Sequence, residues 1–594
     1  MNHQTYTTDV LVVGGGTGGT AAAVASARMG VNTILVSEFS WLGGMLTSAG
    51  VPVPDGNELE ALQTGIWGTY LRELEQRQLG GLDNSWVSFF SYEPRIGAEI
   101  FADWVRKLSN LHWISGYVPL EVLRQDDCIT GVRFADFTVK AKITIDGTEL
   151  GDLLALGDIP HRWGWELQSE FGEASAPTTF NSLTQKYPVQ APTWVVVMQD
   201  FGEEVAPEIL PAPNYDESRF VGAWDGYGGE KFLNYGRLPG NRLMINWPLK
   251  GNDWGEGVGR LVESAAKRQE FLQECFWHSQ NFAYFIQSQL GRRYGLAEDV
   301  FLSQNPLQNQ NRAFALHPYF RESRRLVGLS TVCEQDILPI PGGNVAALHP
   351  DAIAIGNYAN DHHYPDIKFS LQPKSIRWGG RWTGTPFTIP YRCVVPADIQ
   401  GFFVCEKNIS VSHIANGATR LQPVVLSIGQ AVGTAAALCI LENQSPQCLS
   451  VEKLQHTLLE TSHTPTAIAP ILNLELSHPD WLHWQKYYLD NPSDYPPSGY
   501  CPQSDDAQYL YELKNYVITR NITAFVGNFQ SLNQQDYRFT VVTPAKYQGQ
   551  TWQLVTLRSH IDSQLQKIND GESLKLWGRY NSAGNWLIVE QVNI

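Results

Sequence analysis

DVLVVGGGTGG, residues 9–19, decides the fold of this chain. Val10–Val13 is a short β-branched run that stops abruptly at glycine, the pattern of a buried parallel strand. Alanines at helical density follow from Thr20 to Met29, with Gly30 as a C-terminal stop. Thr33–Ser37 then reads as a second strand, so the segment is a βαβ unit with Gly14, Gly16 and Gly19 in the GxGxxG register around Thr17. The glycines give a tight turn, room for a pyrophosphate against the backbone, and close packing of helix on strand. A diphosphate is held at the helix N-terminus, where free N–H groups and the dipole favour an anion. Glu38, directly after the second strand, is placed to accept hydrogen bonds from a ribose diol. A bound nucleotide is therefore the first functional expectation.

The next stretch, WLGGMLTSAGV at 41–51, brings a second glycine pair, Gly43 and Gly44, and then Met45. A second close approach of backbone to ligand just after the ribose-binding position favours FAD over NAD. Further blocks are TIDGTELGDLLALG, HPYFRESRRLVG, IPYRCVVP and SVSHIANGATRLQPVVLSIGQAVGTAAA, all between residues 144 and 437. Taken together with GGGTGGTAAA and LGGMLTSAGV, they make the chain resemble the FAD-dependent oxidoreductases with a glutathione-reductase-type fold, in a layout like that of the fumarate reductase and succinate dehydrogenase flavoproteins.

That resemblance implies an α/β fold with a discontinuous Rossmann-type FAD domain at 1–175 and 371–450, and an inserted α+β substrate domain at 176–370. Within the first part, Val118–Leu123 and Ile129–Phe134 read as a hairpin with Asp126 and Asp127 at its turn, and the resemblance brings Val118 near the adenine. TWVVVMQDF and RLMINWP are strand-like runs in the insert. No second strand–GxGxxG–helix unit occurs there; GNDWGEGVGR lacks the preceding strand. With no dedicated NAD(P)H domain, electrons are expected to pass to oxygen, a quinone or a carrier. A helical region with a proline-rich linker, DNPSDYPPSGYCPQ at 491–504, spans 451–504, and short strands beyond it predict a separate β-rich domain at 505–594. Pro423–Ile440 is apolar enough to approach the membrane-span threshold. Its polar interruptions and the proline at its first turn favour a buried helix instead. Gly429 and Gly433 of that helix are expected to let the isoalloxazine lie against backbone, with Gln430 beside it.

Composition narrows the partners. With 60 acidic against 43 basic residues the net charge is −17, which repels nucleic acid and anionic lipid. Eight scattered cysteines form no CxxC pair, so neither a zinc site nor a dithiol motif is present. MNHQTYTTD has no basic region followed by an apolar stretch, so the expected compartment is the cytoplasm.

Three groups of residues could serve the chemistry that flavin leaves to the protein: positioning substrate, moving a proton and tuning the ring. Ser412 and His413 stand just before Arg420; by resemblance this segment runs under the flavin, and His413 is the candidate proton acceptor. Arg321 and Arg324 flank Glu322 in RESRR and could bind a carboxylate bidentately. Asp361-His362-His363-Tyr364 reads as a pocket loop rather than a metal site. Tyr391 is a further pocket candidate, and Asp152 a further cofactor contact. Relatives carry glycine-arginine where this chain has Glu406-Lys407, so a contact made by that arginine does not transfer. The expected activity is oxidation of a small polar, carboxylate-bearing metabolite by hydride transfer to flavin N5. Rival readings are a lyase or isomerase with non-redox FAD, and a binding protein acting through the C-terminal β domain.

Overall fold

The computed structural model describes residues 4–302, 311–502 and 522–593. Its central sheet has the strand order β3-β2-β1-β6-β5-β4, with Phe402–Val404 added beside β6. These strands are β1 (Gln4–Val13), β2 (Thr33–Ser37), β3 (Leu111–Ser115), β4 (Glu121–Gln125), β5 (Cys128–Arg133) and β6 (Phe137–Asp146). β1, β2, β3, β6 and Phe402–Val404 are mutually parallel, whereas β4 and β5 form the expected antiparallel hairpin. The chain thus returns to its first sheet after more than 250 residues, the discontinuity the resemblance implied.

Helix α1 (Thr17–Arg28) begins directly after the glycine turn and packs against the buried helix Gln422–Glu442. Glycine makes this packing possible: a Cβ on Gly429 would lie 2.2 Å from the Gly18 carbonyl oxygen, and one on Gly433 2.2 Å from that of Ala22. The two glycines therefore face a neighbouring helix and not a flavin ring, which corrects the role expected of them. Gln422–Glu442 is the one helix among the described residues long and apolar enough to cross a membrane, and 89% of its most apolar window is buried inside the protein.

The inserted region builds a four-stranded antiparallel sheet from Tyr294–Leu296, Val196–Asp200, Arg242–Ile245 and Arg237–Leu238. The helix Ala265–Leu290 packs on it, and together they enclose a core of their own. The end of this region differs from expectation. Leu326, Val332, Ile337, Val345 and Ile353 belong to the flavin-domain core, and Ala352–Asn357 pairs with Pro386–Pro390. Chain connectivity returns to the first core well before residue 370.

Thr523–Asn533, Asp536–Thr543, Thr551–Val555, Trp586–Asn593 and Ser573–Asn581 close, in that order, into a five-stranded barrel with its own interior. Closure removes the exposed strand edges. The barrel is not a loosely tethered appendage. Thr556 N donates to Gly379 O (2.9 Å), Glu60 N to Leu557 O (2.9 Å), and Arg558 pairs with Glu60 at 2.8 Å. The described part of the expected linker is packed too: Tyr495 is buried and donates to Pro470 O at 2.6 Å, and Leu472 N donates to Gly499 O. Its prolines shape a fixed crossing, not a free tether.

Candidate active site

The glycine turn after β1 and the second glycine pair meet. Gly14 has φ +108°, which only glycine adopts readily, and a Cβ there would lie 2.1 Å from the Gly147 oxygen. A Cβ on Gly19 would lie 2.1 Å from Gly14 O, so these two glycines seat α1 on β1 and β6. Gly43 N donates to Gly15 O at 3.0 Å, and a Cβ on Gly44 would come within 2.8 Å of Gly16 Cα. The result is a bare backbone cradle at the N-terminus of α1. Thr17 braces it from below: its hydroxyl donates to Gly43 O at 2.8 Å. Met45 is fully buried, its carbonyl accepting from Val51 N.

Glu38 follows β2 at one end of this cradle. Its side chain is accessible, yet surrounding protein shields it enough that burial, reinforced by Asp152, pushes the carboxyl up to about 7. That combination marks the wall of a crevice. Val118 lies alongside: the preceding Gly116 and Tyr117 amides both donate to Ser37 O, and Val118 is 47% exposed. Asp152 opens the short helix Asp152–Leu156 and pairs with Arg268 at 2.7 Å and Arg324 at 3.2 Å.

The Glu406-Lys407 substitution acts at the other side of the cradle. Glu406 Oε1 accepts from Gly18 N at 2.6 Å, and Lys407 Nζ bridges Glu149 (2.7 Å) and Glu406 (3.1 Å), all three side chains lying in or against the core. Burial raises the Glu406 carboxyl above its ordinary range against the pull of Lys407. Glu149 Oε1 is buried without a hydrogen-bond partner. The bare glycine backbone and the α1 N-terminus fit a diphosphate-linked dinucleotide, whereas the Lys407 ammonium is spent on Glu149 and Glu406. The Glu406 carboxylate, seated on the Gly18 amide, is the structural consequence of the Glu406-Lys407 departure.

A cavity of about 560 Å³ opens where the inserted region meets the N-terminus of Gln422–Glu442. Arg321, Arg420, Asp361, His363 and Tyr319 line it, with Asp55 and Tyr235 among the other lining groups. Five of the charged groups in and behind this wall form one ladder. Arg321 pairs with Asp253 at 3.0 Å; Asp253 and Asp361 each accept from one nitrogen of His363 at 2.7 Å; Asp361 pairs with Arg420 at 3.3 Å. Both His363 nitrogens face carboxylate oxygens, which only accept, so both carry protons and the ring is an imidazolium. Asp253 and Asp361 are held below the ordinary carboxylate range despite burial, chiefly by Arg321 and His363 respectively. The ladder therefore holds three cations and two anions, a net charge of +1.

Several expected site residues stand elsewhere. Arg324 does not reach the cavity; it bonds Leu150 O (2.9 Å) and Asp152 beside the nucleotide crevice, so it cannot anchor a substrate there. Tyr391 is buried in the flavin-domain core with its hydroxyl on Pro446 O at 2.7 Å, which removes it from the pocket. Gln430 spends its amide bracing two backbones, accepting from Ile66 N (2.8 Å) and donating to Thr464 O (2.7 Å). Ser412 caps His413–Thr419, accepting from Ala415 N at 3.0 Å and donating to Glu173. His413 lies one layer behind the cavity wall, against the Trp165 ring at 3.9 Å, and does not line the cavity. Burial, with Arg325 nearby, lowers its pKa to about 3.

Residues 9–458 match the family model of FAD dependent oxidoreductases. The chain belongs to that family. Its cofactor is accordingly FAD, and the protein is an FAD-dependent oxidoreductase. No curated protein matches the chain. Among solved structures it is similar to a geranylgeranyl bacteriochlorophyll reductase-like protein from Thermoplasma acidophilum (11% identity, 87% of this chain and 92% of that one, TM-score 0.32). It is also similar to the quinol fumarate reductase FrdA of E. coli (12% identity, 77% and 75%, TM-score 0.28).

Proposed function

We propose that this FAD-dependent oxidoreductase oxidises a small polar, carboxylate-bearing metabolite in the cavity beside the N-terminus of Gln422–Glu442. Bound FAD supplies the hydride acceptor at N5. The carrying observation is the ladder from Arg321 to Arg420: its three cations outnumber its two anions, and Lys368 lines the same cavity, so the wall is positive. In a partly desolvated cavity that charge favours an anion and opposes a cation. Arg321 is 1% exposed and gripped by Asp253 and Asn246, so its guanidinium is fixed before a substrate arrives. Fixed charges cost no reordering on binding. Oxygen, a quinone or a carrier protein takes the electrons, consistent with a single GxGxxG unit in the chain.

The test is an anaerobic screen of 2-hydroxy acids and amino acids, each paired with its amide, against the yellow holoenzyme. The reading expects bleaching by a carboxylate and at least tenfold weaker apparent binding of the matching amide. Equal binding of acid and amide would refute the role of the ladder.

A further inference from the structure

In and behind the cavity wall, four side chains form a continuous hydrogen-bonded chain. His362 Nε2 lies 3.0 Å from Ile414 O, and its Nδ1 lies 2.8 Å from the Tyr364 hydroxyl. The same hydroxyl lies 2.7 Å from His413 Nε2, and His413 Nδ1 lies 2.9 Å from Glu322 Oε1. His362 and Tyr364 line the cavity; His413 and Glu322 are buried behind them.

Each of the four contacts needs one proton, because a lone pair facing a lone pair is repulsive. A carbonyl only accepts, so His362 must carry its proton on Nε2 and accept at Nδ1. The Tyr364 hydroxyl then donates to His362, and its oxygen must accept from His413 Nε2. That leaves His413 Nδ1 an acceptor facing a carboxylate oxygen, unless a proton lies between them. Two neutral imidazoles, a phenol and a carboxylate supply three protons for four contacts. We infer that Glu322, His413, Tyr364 and His362 hold a fourth proton in common and act as a one-proton store in the cavity wall.

The surroundings favour that count. Arg325, 3.1 Å from Glu322, is matched by Glu166 at 2.7 Å, and Arg420 by Asp361. The Gln190 amide donates to Glu322 Oε2, and Glu166 accepts from the His413 backbone amide. A carboxylate at Glu322 would add an unbalanced buried charge. Burial accordingly pushes the Glu322 carboxyl up to about 7, while it lowers both His362 and His413 to about 3. Below neutrality the proton rests on the Glu322 side as a neutral acid; above it the chain is one proton short.

This store deepens the proposed oxidation. A substrate that loses a hydride from carbon to the flavin also loses a proton from its oxygen or nitrogen. The three-proton chain can take up that proton, completing its fourth contact, and release it to solvent before the next turnover. His413 is then a positioning residue in the chain, and Tyr364 is its junction.

The experiment uses full-length holoenzyme labelled with ¹⁵N in its histidine rings, followed by NMR from pH 5.5 to 9. The inference expects the ring nitrogens of His362 and His413 to shift together in one step near neutrality, with both rings neutral throughout. Glu322→Gln, whose amide N–H supplies the fourth hydrogen permanently, should abolish the step and hold both rings in the low-pH tautomers. Tyr364→Phe should uncouple the two rings, leaving a step at His413 alone. Shifts that stay flat in the wild type, or a step that survives in Glu322→Gln, would overturn the inference. These signals are read without substrate, so failure of the carboxylate-oxidation reading would leave them unchanged, and the reverse.

Discussion

Asp253→Asn isolates the charge ladder, because asparagine keeps the shape of the side chain and removes only its charge. Asp253 is 1% exposed and serves the Arg321 guanidinium, the His363 ring and the Thr193 hydroxyl. An amide has one acceptor oxygen. If that oxygen faces Arg321, its NH₂ group meets His363 Nδ1 and forces the ring to give up its Nδ1 proton; if it faces His363, the NH₂ group meets a guanidinium. Either way the ladder is broken, by loss of the imidazolium charge or by an N–H facing the guanidinium, and removing one member of a buried pair typically costs ~3–5 kcal/mol. The lower end, ~3 kcal/mol, applies here because Arg321 keeps Asn246 at 3.1 Å and the Ala191 carbonyl. With a denaturant slope of about 2 kcal/mol/M, the urea midpoint should fall by ~1–2 M. Tryptophan fluorescence of the inserted region, which contains Trp194, Trp247 and Trp254, reports the transition. Glu256→Gln is the control: it breaks the Arg219 pair, whose side chains are 49% and 40% exposed, and should cost under ~1 kcal/mol. Asp253 has a depressed pKa when folded, so its contribution is complete above the ordinary carboxylate pKa and is lost as pH falls below it. The gap between wild type and Asp253→Asn should therefore be full at pH 7 and shrink below about pH 4. A midpoint shift no larger than that of Glu256→Gln would refute the ladder as a buried, interdependent unit.

Gly16→Val should purify with less than about a tenth of wild-type flavin, since its Cβ would stand 2.5 Å from Glu406 Oε1 in the cradle; a fully yellow variant would remove the cradle from cofactor binding. Because burial raises the Glu406 carboxyl to about 7, it is neutral below that pH and becomes an anion opposing a diphosphate above it. FAD retention on dialysis should therefore weaken as pH rises past neutrality, and Glu406→Gln should flatten that dependence and tighten retention by about tenfold at pH 8.5, or ~1.4 kcal/mol. A chain cut at residue 490 should be poorly soluble, because Val555 and Ile588 of the barrel and Tyr495 of the crossing segment are part of the flavin-domain core; a stable yellow fragment would show instead that this core closes without them.

The local pattern of residues 9–38 determined the βαβ unit and the cofactor class, because strand, turn and helix there follow from neighbours in sequence. Alternation and glycine spacing are short-range signals, and they also placed the strand at Val196–Asp200, the hairpin turn at Asp126 and the buried helix beyond Pro423. The site was less legible, since it depends on which distant segments meet. RESRR presented Arg321 and Arg324 as equals, but the chain turns between them, sending one to the cavity and the other to the nucleotide crevice. Gly429 carries no mark of whether a ring or a helix lies against it; only the docking of α1 decides that. His363 became an imidazolium because Asp253, 110 positions away, was folded against one nitrogen while Asp361 held the other. Protonation of a buried group follows from its partners, and partners 50 to 250 residues apart in sequence are set by tertiary packing alone.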